Sequence, residues 1–318
     1  MTIKEFSADS TADDFLADRN LTGKRVLITG GVSGLGKALA SSFLRKGAEL
    51  ILPVRNWASG DVDKKALFES VGSSSIEWVD LDLSDFDSVR RGADQILQTD
   101  KPIDIQINNA GIMACPLTRN EQGYEIQFCT NHLGHFLLTG LLLPLLRKSS
   151  NARIISVSSL AHRLSPIVFD DIHFHSRPYD KWQAYAQSKT ANALFAVGLQ
   201  RRYGPGMDAF AVHPGGVWTR LQRDMNASDF RALGWIDENG EKRSGFKTPE
   251  QGAATAAWAA TATELAGKGG CYLENCSISH PADAGNRMSG YAEHIVDASA
   301  AELLWTMSEE CVDFSYPA

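Results

Sequence analysis

The run Lys24-Arg-Val-Leu-Ile-Thr29, then Gly30-Gly31-Val32-Ser33-Gly34-Leu35-Gly36, then Lys37 to Arg45, constrains the fold more than any other stretch. The first piece is short and rich in apolar, partly β-branched residues, the composition of a buried strand. The last alternates as a helix does. Between them the spacing is Thr-Gly-x-x-x-Gly-x-Gly, not Gly-x-Gly-x-x-Gly. In a strand-turn-helix setting such glycines permit positive φ and let a pyrophosphate approach the backbone. The N-terminus of the helix then offers free N–H groups and a favourable dipole. A tight strand-to-helix turn with no ligand is the bland alternative.

The same order repeats along the chain. Strands are expected at Glu49–Val54, Ile76–Leu81, Ile103–Ile107, Arg153–Val157, Met207–Val212 and Gly270–Leu273. Helical patterns fall between them, at Asp61–Val71, Phe86–Leu97 with Ser84 as its N-cap, 120–147, 182–202 and the Ala-rich run after Thr248-Pro249. Alternating strands and helices predict an α/β chain: one doubly wound, Rossmann-type parallel sheet of about seven strands, with helices on both faces. Residues 1–20 read as a polar, solvated extension, with one short helix at Ala12–Asp18. Residues 21–318 read as a single domain. It carries an insertion at about 217–247, either a mobile lid or a small helical excursion, and a helical tail at Ala298–Glu309. Residues 160–180 read as a loop or short hairpin.

Composition narrows the function. A net charge of −7 argues against a nucleic-acid or anionic-membrane partner, without excluding a local basic pocket. Five cysteines lack metal-site spacing and read as free thiols in a reducing, cytoplasmic setting. No run is long and apolar enough for a membrane span, the greasiest being Phe136–Leu146. His132 and His135 read as packed or capped side chains, and Asp170, Asp171, His173 and His175 as parts of a structural segment; no metal site is expected.

Candidate site residues sit at strand ends. Arg55, just past the second strand, faces the position where an Arg accommodates a ribose 2′-phosphate, so NADP(H) is favoured over NAD(H). Asp82, with Leu83 beside it, could meet an adenine amino group or simply close a turn. Asn108-Asn109-Ala110-Gly111 suits a ligand passing close to the backbone, or a braced turn. Asn131 is a poor mid-helix residue, which hints at a local role. Ser158 and Ser159 end the fifth strand, outside the Gly-x-Ser-x-Gly context of a hydrolase nucleophile. Pro214-Gly215-Gly216-Val217-Trp218-Thr219 breaks regular structure after the sixth strand. Tyr185 and Lys189 lie four apart on a helix, hence on one face. A cation beside a phenol lowers its pKa from about 10, which suits proton transfer between an alcohol and a carbonyl. Alone, the pair reads as well as a surface Tyr and Lys.

Taken in order, Thr29-Gly30-x-x-x-Gly34-x-Gly36, Asp82, Asn108-Asn109-Ala110-Gly111, Asn131, Ser159, Tyr185-x-x-x-Lys189 and Pro214-Gly215 resemble the short-chain dehydrogenase/reductase family over residues 22–280. Val157–Arg163, Lys181–Lys189 and Arg55 look more narrowly like its retinol-dehydrogenase-like branch. The N-terminal membrane segment of vertebrate retinol dehydrogenases is missing, so retinoid specificity is not carried over. The resemblance implies an alcohol dehydrogenase or carbonyl reductase with Tyr185 as general acid/base. Lys189 would lower the Tyr185 pKa and hold the nicotinamide ribose, Ser159 would hydrogen-bond the substrate oxygen, and Asn131 would anchor a relay water. Gly30, Ser33, Gly34, Leu35, Gly36, Arg55, Asp82, Leu83, Asn109, Ala110, Gly111, Pro214, Gly215, Val217 and Thr219 would contact the dinucleotide, Thr219 at the carboxamide. Trp218, Leu221, Met225 and Trp235 suggest an apolar or aromatic alcohol or ketone. A homodimer or homotetramer through the 120–147 and 182–202 helices is a further family expectation. A lyase or dehalogenase on this fold, or a non-catalytic dinucleotide-binding regulator, would have lost the glycines, Ser159, Tyr185 or Lys189; all are present.

Overall fold

The computed structural model describes residues 6–55, 75–204, 206–283, 285 and 288–318. The helix expected at Asp61–Val71 lies outside them. Eight strands form one sheet in the order β3-β2-β1-β4-β5-β6-β7-β8. They are β1 (Arg25–Ile28), β2 (Glu49–Val54), β3 (Ile76–Asp80), β4 (Ile105–Asn108), β5 (Ala152–Val157), β6 (Met207–His213), β7 (Tyr272–Glu274) and β8 (Ser277–Ile278). All neighbours are parallel except β7 and β8. The eighth strand, beyond the seven expected, is a two-residue hairpin return. Asn275 and Cys276 turn it with φ of 49° and 54°, the left-handed pair a tight hairpin demands.

Helices α2 (Gly34–Arg45), α3 (Phe86–Leu97), α4 (Ile126–Leu146), α5 (Lys181–Tyr203) and α7 (Pro249–Thr261) cover the two faces. β1, β4, β5 and β6 are buried along their whole length, as strands sandwiched between helices must be. The strand order reverses between β1 and β4, which opens a crevice at their C-terminal ends. The helix α4 is long and apolar enough to cross a membrane, yet 83% of its most apolar 18-residue stretch is buried against the rest of the chain, as in a core helix.

Three expectations change here. The N-terminal extension is not solvated throughout. Thr11 and Asp14 form a reciprocal cap on α1 (Ala12–Leu16), and Phe15 and Leu16 are buried against the layer of α2 and α7. The N-cap of α3 is Asp85, not Ser84. The Asp85 carboxylate accepts from the N–H groups of Asp87 and Ser88, while Ser84 turns back to Asp82. Residues 160–180 form 3₁₀ turns at Leu160–Leu164 and Phe169–Asp171, not a hairpin. The carboxylate of Asp171 gathers the N–H groups of His175, Ser176 and Arg177.

The C-terminal segment also bears on subunit association. Helix α8 (Ala298–Val312) lies over α4 and α5, with Trp305 5.1 Å from the Phe136 ring and 5.9 Å from Phe195. Tyr316 follows and donates to the Phe136 carbonyl at 2.6 Å. The tail therefore covers part of α4 and α5, the two helices named for subunit association.

Candidate active site

The glycine turn is built by close approach. Gly30 has a φ of 67°, and a Cβ there would stand 3.1 Å from Ala110 Cα. On Gly36 a Cβ would meet the Gly30 carbonyl carbon and Asn109 Nδ2, both at 2.7 Å. The turn and the end of β4 thus touch with no side chain between them. Thr29 locks the pair: its hydroxyl accepts from Asn109 N at 2.9 Å and Ala110 N at 3.0 Å, and Asn109 Nδ2 donates to the Thr29 carbonyl at 2.9 Å. Asn108 faces away, into a buried amide network with Gln106 and Thr139.

At the start of α2, Ser33 makes no side-chain cap and no acidic residue occupies the first turn. Its N–H groups are left to an anion from outside the helix, and the absence of any Cβ at Gly30 and Gly36 lets a pyrophosphate reach them. These features fit a dinucleotide. Thr219 closes the turn from the other side, its Cγ2 lying 3.1 Å from where a Gly34 Cβ would be. Val217 and Leu35 pack together against Gly252 on α7, and Gly215 turns the chain with φ 88°. Arg55 reaches solvent at the end of β2, 4.0 Å from the Asp82 carboxylate. Asp82 also closes its own turn, accepting from Ser84 N and Oγ, so the turn-closing alternative is realised. The Leu83 side chain is in the core, which leaves only its backbone to face a ligand.

The proton-transfer end lies on the adjoining edge. Helix α5 starts at the Asp180 cap and presents Tyr185 and Lys189 inward, each 4% exposed. The Lys189 Nζ donates to the Val157 carbonyl at 2.9 Å and sits 5.6 Å from the Tyr185 ring centre. The two terminal serines of β5 divide their work. Ser158 Oγ donates to the Lys189 carbonyl at 2.8 Å, whereas Ser159 Oγ caps the following 3₁₀ turn and lies near enough to the Tyr185 hydroxyl to favour its ionised form. Only Ser159 is placed to meet a substrate oxygen together with Tyr185.

Electrostatics correct the expectation for Tyr185. Burial pushes its phenol up to about 12, opposed by the hydrogen bond from Ser159. Burial likewise pulls the Lys189 ammonium down to about 8. Desolvation is the main cause of both shifts, and the phenol holds its proton more tightly than in water.

Asn131 sits in a π-helical turn, Cys129–Leu133, inside α4. Its side chain is fully engaged: Oδ1 accepts from Ile112 N, and Nδ2 donates to the Ile112 carbonyl and to Ser188 Oγ. Asn131 thereby ties α4, α5 and the Gly111-Ile112 backbone together. The distortion of α4 explains how an Asn is tolerated mid-helix. His135 bridges the Asn131 carbonyl and the Thr29 hydroxyl, and His132 meets Ser308. Thr29 and Ser188 carry site-building bonds that the strand and helix patterns concealed. A polar residue in a buried, glycine-flanked strand end was the signal available for Thr29.

Met113, Ala114, Ala161, Trp182, Leu221 and Met225 pack around Tyr185, with Trp235 joining them. Trp218 joins this cluster through Trp235, at 5.8 Å, and also stacks on Phe230 and Phe246, both at 5.1 Å. Within 217–247, α6 (Ala227–Ala232) is pinned to the start of α5 by the Lys181–Asp229 ion pair at 2.6 Å. The insertion thus contains a short helix that packs on the core, as the helical-excursion reading expects.

Comparison with known proteins agrees with this geometry. The short chain dehydrogenase family model matches residues 24–229. A "Probable oxidoreductase" of Streptomyces lividans is 41% identical over 293 residues, covering 90% of this chain and 96% of that protein. Retinol dehydrogenase 13 of Homo sapiens is 36% identical over 306 residues, covering 94% and 87% respectively. Among solved structures, an uncharacterized protein from Mycobacterium Paratuberculosis superposes with a TM-score of 0.74 at 33% identity, over 98% of this chain and 100% of that one. The Pseudomonas aeruginosa RhlG/NADP active-site complex gives 0.60 at 27% identity, over 80% and 95%. With the family model spanning most of the chain and relatives aligned nearly end to end, this protein belongs to the short-chain dehydrogenase/reductase family of oxidoreductases, in its retinol-dehydrogenase-like branch.

Proposed function

We propose that this protein is an NADP(H)-dependent oxidoreductase that interconverts an alcohol and a ketone or aldehyde on an apolar or aromatic small molecule. One observation carries the reading: Tyr185 is buried beside Ser159, walled by apolar side chains and one helical turn from Lys189. The dinucleotide, when bound, supplies or accepts the hydride. The glycine turn, Asn109–Gly111 and 214–219 would hold it, with Arg55 on a 2′-phosphate. Arg55 is 64% exposed at its side chain and so free to meet one.

The residues then divide the proton work. At neutral pH Tyr185 carries its proton, the form needed to protonate a carbonyl oxygen as it gains negative charge. Ser159 holds that oxygen by a second hydrogen bond. Lys189, with a pKa of about 8, is mostly charged at neutral pH and binds the nicotinamide ribose. The Asn131 side chain is already committed, so the relay water would rest on its carbonyl, which has a lone pair left beside the His135 contact. The apolar wall excludes bulk water from the reacting oxygen. A regulator has no need of this proton-transfer set, and a lyase on this fold has no need of the Gly30, Gly34 and Gly36 cradle. Mixing the protein with NADPH and a panel of aromatic and aliphatic ketones and aldehydes, and following NADPH absorbance, tests the proposal. Turnover with NADPH preferred over NADH is expected; binding without turnover on any member would favour the regulator.

A further inference from the structure

The segment after β7 reaches back to the substrate side of the site through one side chain. His162 has no exposed surface and lies on the 3₁₀ turn capped by Ser159. Its Nε2 stands 3.1 Å from the Ala292 N–H, a group that can only donate. Nε2 is therefore the bare nitrogen, and the ring proton is on Nδ1. Nδ1 lies 2.7 Å from the Ser159 carbonyl and donates to it. The His162 carbonyl accepts from Thr190, the neighbour of Lys189, and from His294 Nε2 at 3.0 Å. Tyr272 on β7 packs edge-on against the ring at 5.0 Å, its hydroxyl 3.2 Å from Nδ1. The 289–292 stretch that supplies Ala292 is itself fixed. Arg163 donates to the Ser289 carbonyl, and the Gly290 N–H donates to the buried Glu274 carboxylate at 2.7 Å.

Resting on the acid/base reading of Tyr185, we infer that His162 is the positioning residue for Ser159: it clamps the Ser159 peptide between the active-site helix and the 289–292 segment, and so aims the Ser159 hydroxyl at Tyr185 and the substrate oxygen. The clamp needs one donor and one acceptor on a single rigid ring, which only neutral histidine supplies. A second ring proton would set a donor against the Ala292 N–H. Arg163 faces the ring as a cation, His294, whose own pKa burial lowers, lies beside it with Tyr272 and His213 nearby, and burial holds the imidazole neutral, down at about 4. Displacing a catalytic group by an ångström costs up to about a hundredfold in rate, so a loosened Ser159 should appear in kcat rather than in nucleotide binding.

Three substitutions separate the two bonds. In His162→Asn the amide nitrogen sits near Nδ1 and keeps the donor to Ser159. In His162→Gln the amide oxygen sits near Nε2 and keeps only the acceptor for Ala292. His162→Phe keeps the shape alone. For a ketone turned over by the wild type, kcat, KM, the NADPH dissociation constant and the melting temperature are measured for each. Expected is a kcat loss of about tenfold to a hundredfold in Phe, with Asn and Gln, each keeping one of the two bonds, falling between Phe and the wild type. NADPH affinity should stay within about twofold throughout. An Asn variant no better than Phe, kcat losses that track melting temperature alone, or wild-type kcat in all three would overturn the inference. Tyr185→Phe runs alongside. If it stays active, the acid/base reading fails. If it is inactive while the His162 series is flat, only the clamp fails.

Discussion

Gly36→Ala should damage dinucleotide binding more than it damages the fold. The added Cβ would sit 2.7 Å from the Gly30 carbonyl carbon and from Asn109 Nδ2, and closer still to the Gly30 oxygen. Two of these atoms are backbone, so no side-chain rotation relieves the clash. The turn and the β4 end must part by roughly an ångström before the contact becomes an ordinary one. Overpacking of this kind costs about 1–3 kcal/mol of stability, a fall of several degrees in melting temperature. The same opening moves the first-turn N–H groups off an incoming phosphate. Losing one hydrogen bond to a charged group costs about 1.5–3 kcal/mol, which is about tenfold to a hundredfold in Kd. Fluorescence titration with NADPH, alongside thermal unfolding, checks both numbers. An unchanged Kd in a folded variant would refute the cradle, because the glycine would then serve packing alone.

Other perturbations probe separate links. Arg55→Asp should shift preference from NADPH toward NADH, since an acidic group at that strand end suits a 2′-hydroxyl and repels a 2′-phosphate; an unchanged ratio of kcat/KM values for the two cofactors counts against the phosphate role. Lys189 has its pKa lowered by burial to about 8, so its ammonium burdens the ligand-free fold below that pH, and the burden lifts as pH rises toward the unfolded value. Against Lys189→Met, the wild type should gain about 2 kcal/mol of unfolding free energy between pH 7 and 10, read by denaturant titration; parallel pH profiles would contradict the burial argument. Deleting residues 1–18 should destabilise the chain, because Phe15 and Leu16 are buried and each contributes about 1.5–3 kcal/mol. An unchanged melting temperature would show that the α1 contacts contribute nothing.

The sheet was readable because its signals are local. β1, β4, β5 and β6 are short, largely apolar runs, each followed within two residues by Gly30, Asn109, Ser158 or Pro214, which marks its C-terminal end. Tyr185, Lys189, Ser159 and the glycines sat in spacings that carry their own chemistry. What escaped depends on contacts between distant segments. Nothing near Phe15 reveals that α7 and α2 will cover it, and nothing in 120–147 reveals that Trp305 and Tyr316 will. The Tyr185 pKa was misjudged because helix spacing gives the distance to Lys189 but not the desolvation, and burial proved the larger effect. Asn131 was flagged for an odd residue type in a helix, yet its partners Ile112 and Ser188 come from other elements. His162 passed unremarked as part of a motif until Ala292, far along the chain, came to meet it.

The most direct test of the account is single-turnover and steady-state reduction of a ketone by the Tyr185→Phe variant with NADPH. Phenylalanine keeps the ring among Met113, Ala114 and Trp182 but removes the hydroxyl beside Ser159. With the nucleotide cradle untouched, NADPH should bind within about twofold of wild type, while the chemical step falls by about 10²–10⁴. A variant that binds NADPH and still reduces the ketone at the wild-type rate would show that the proton comes from elsewhere.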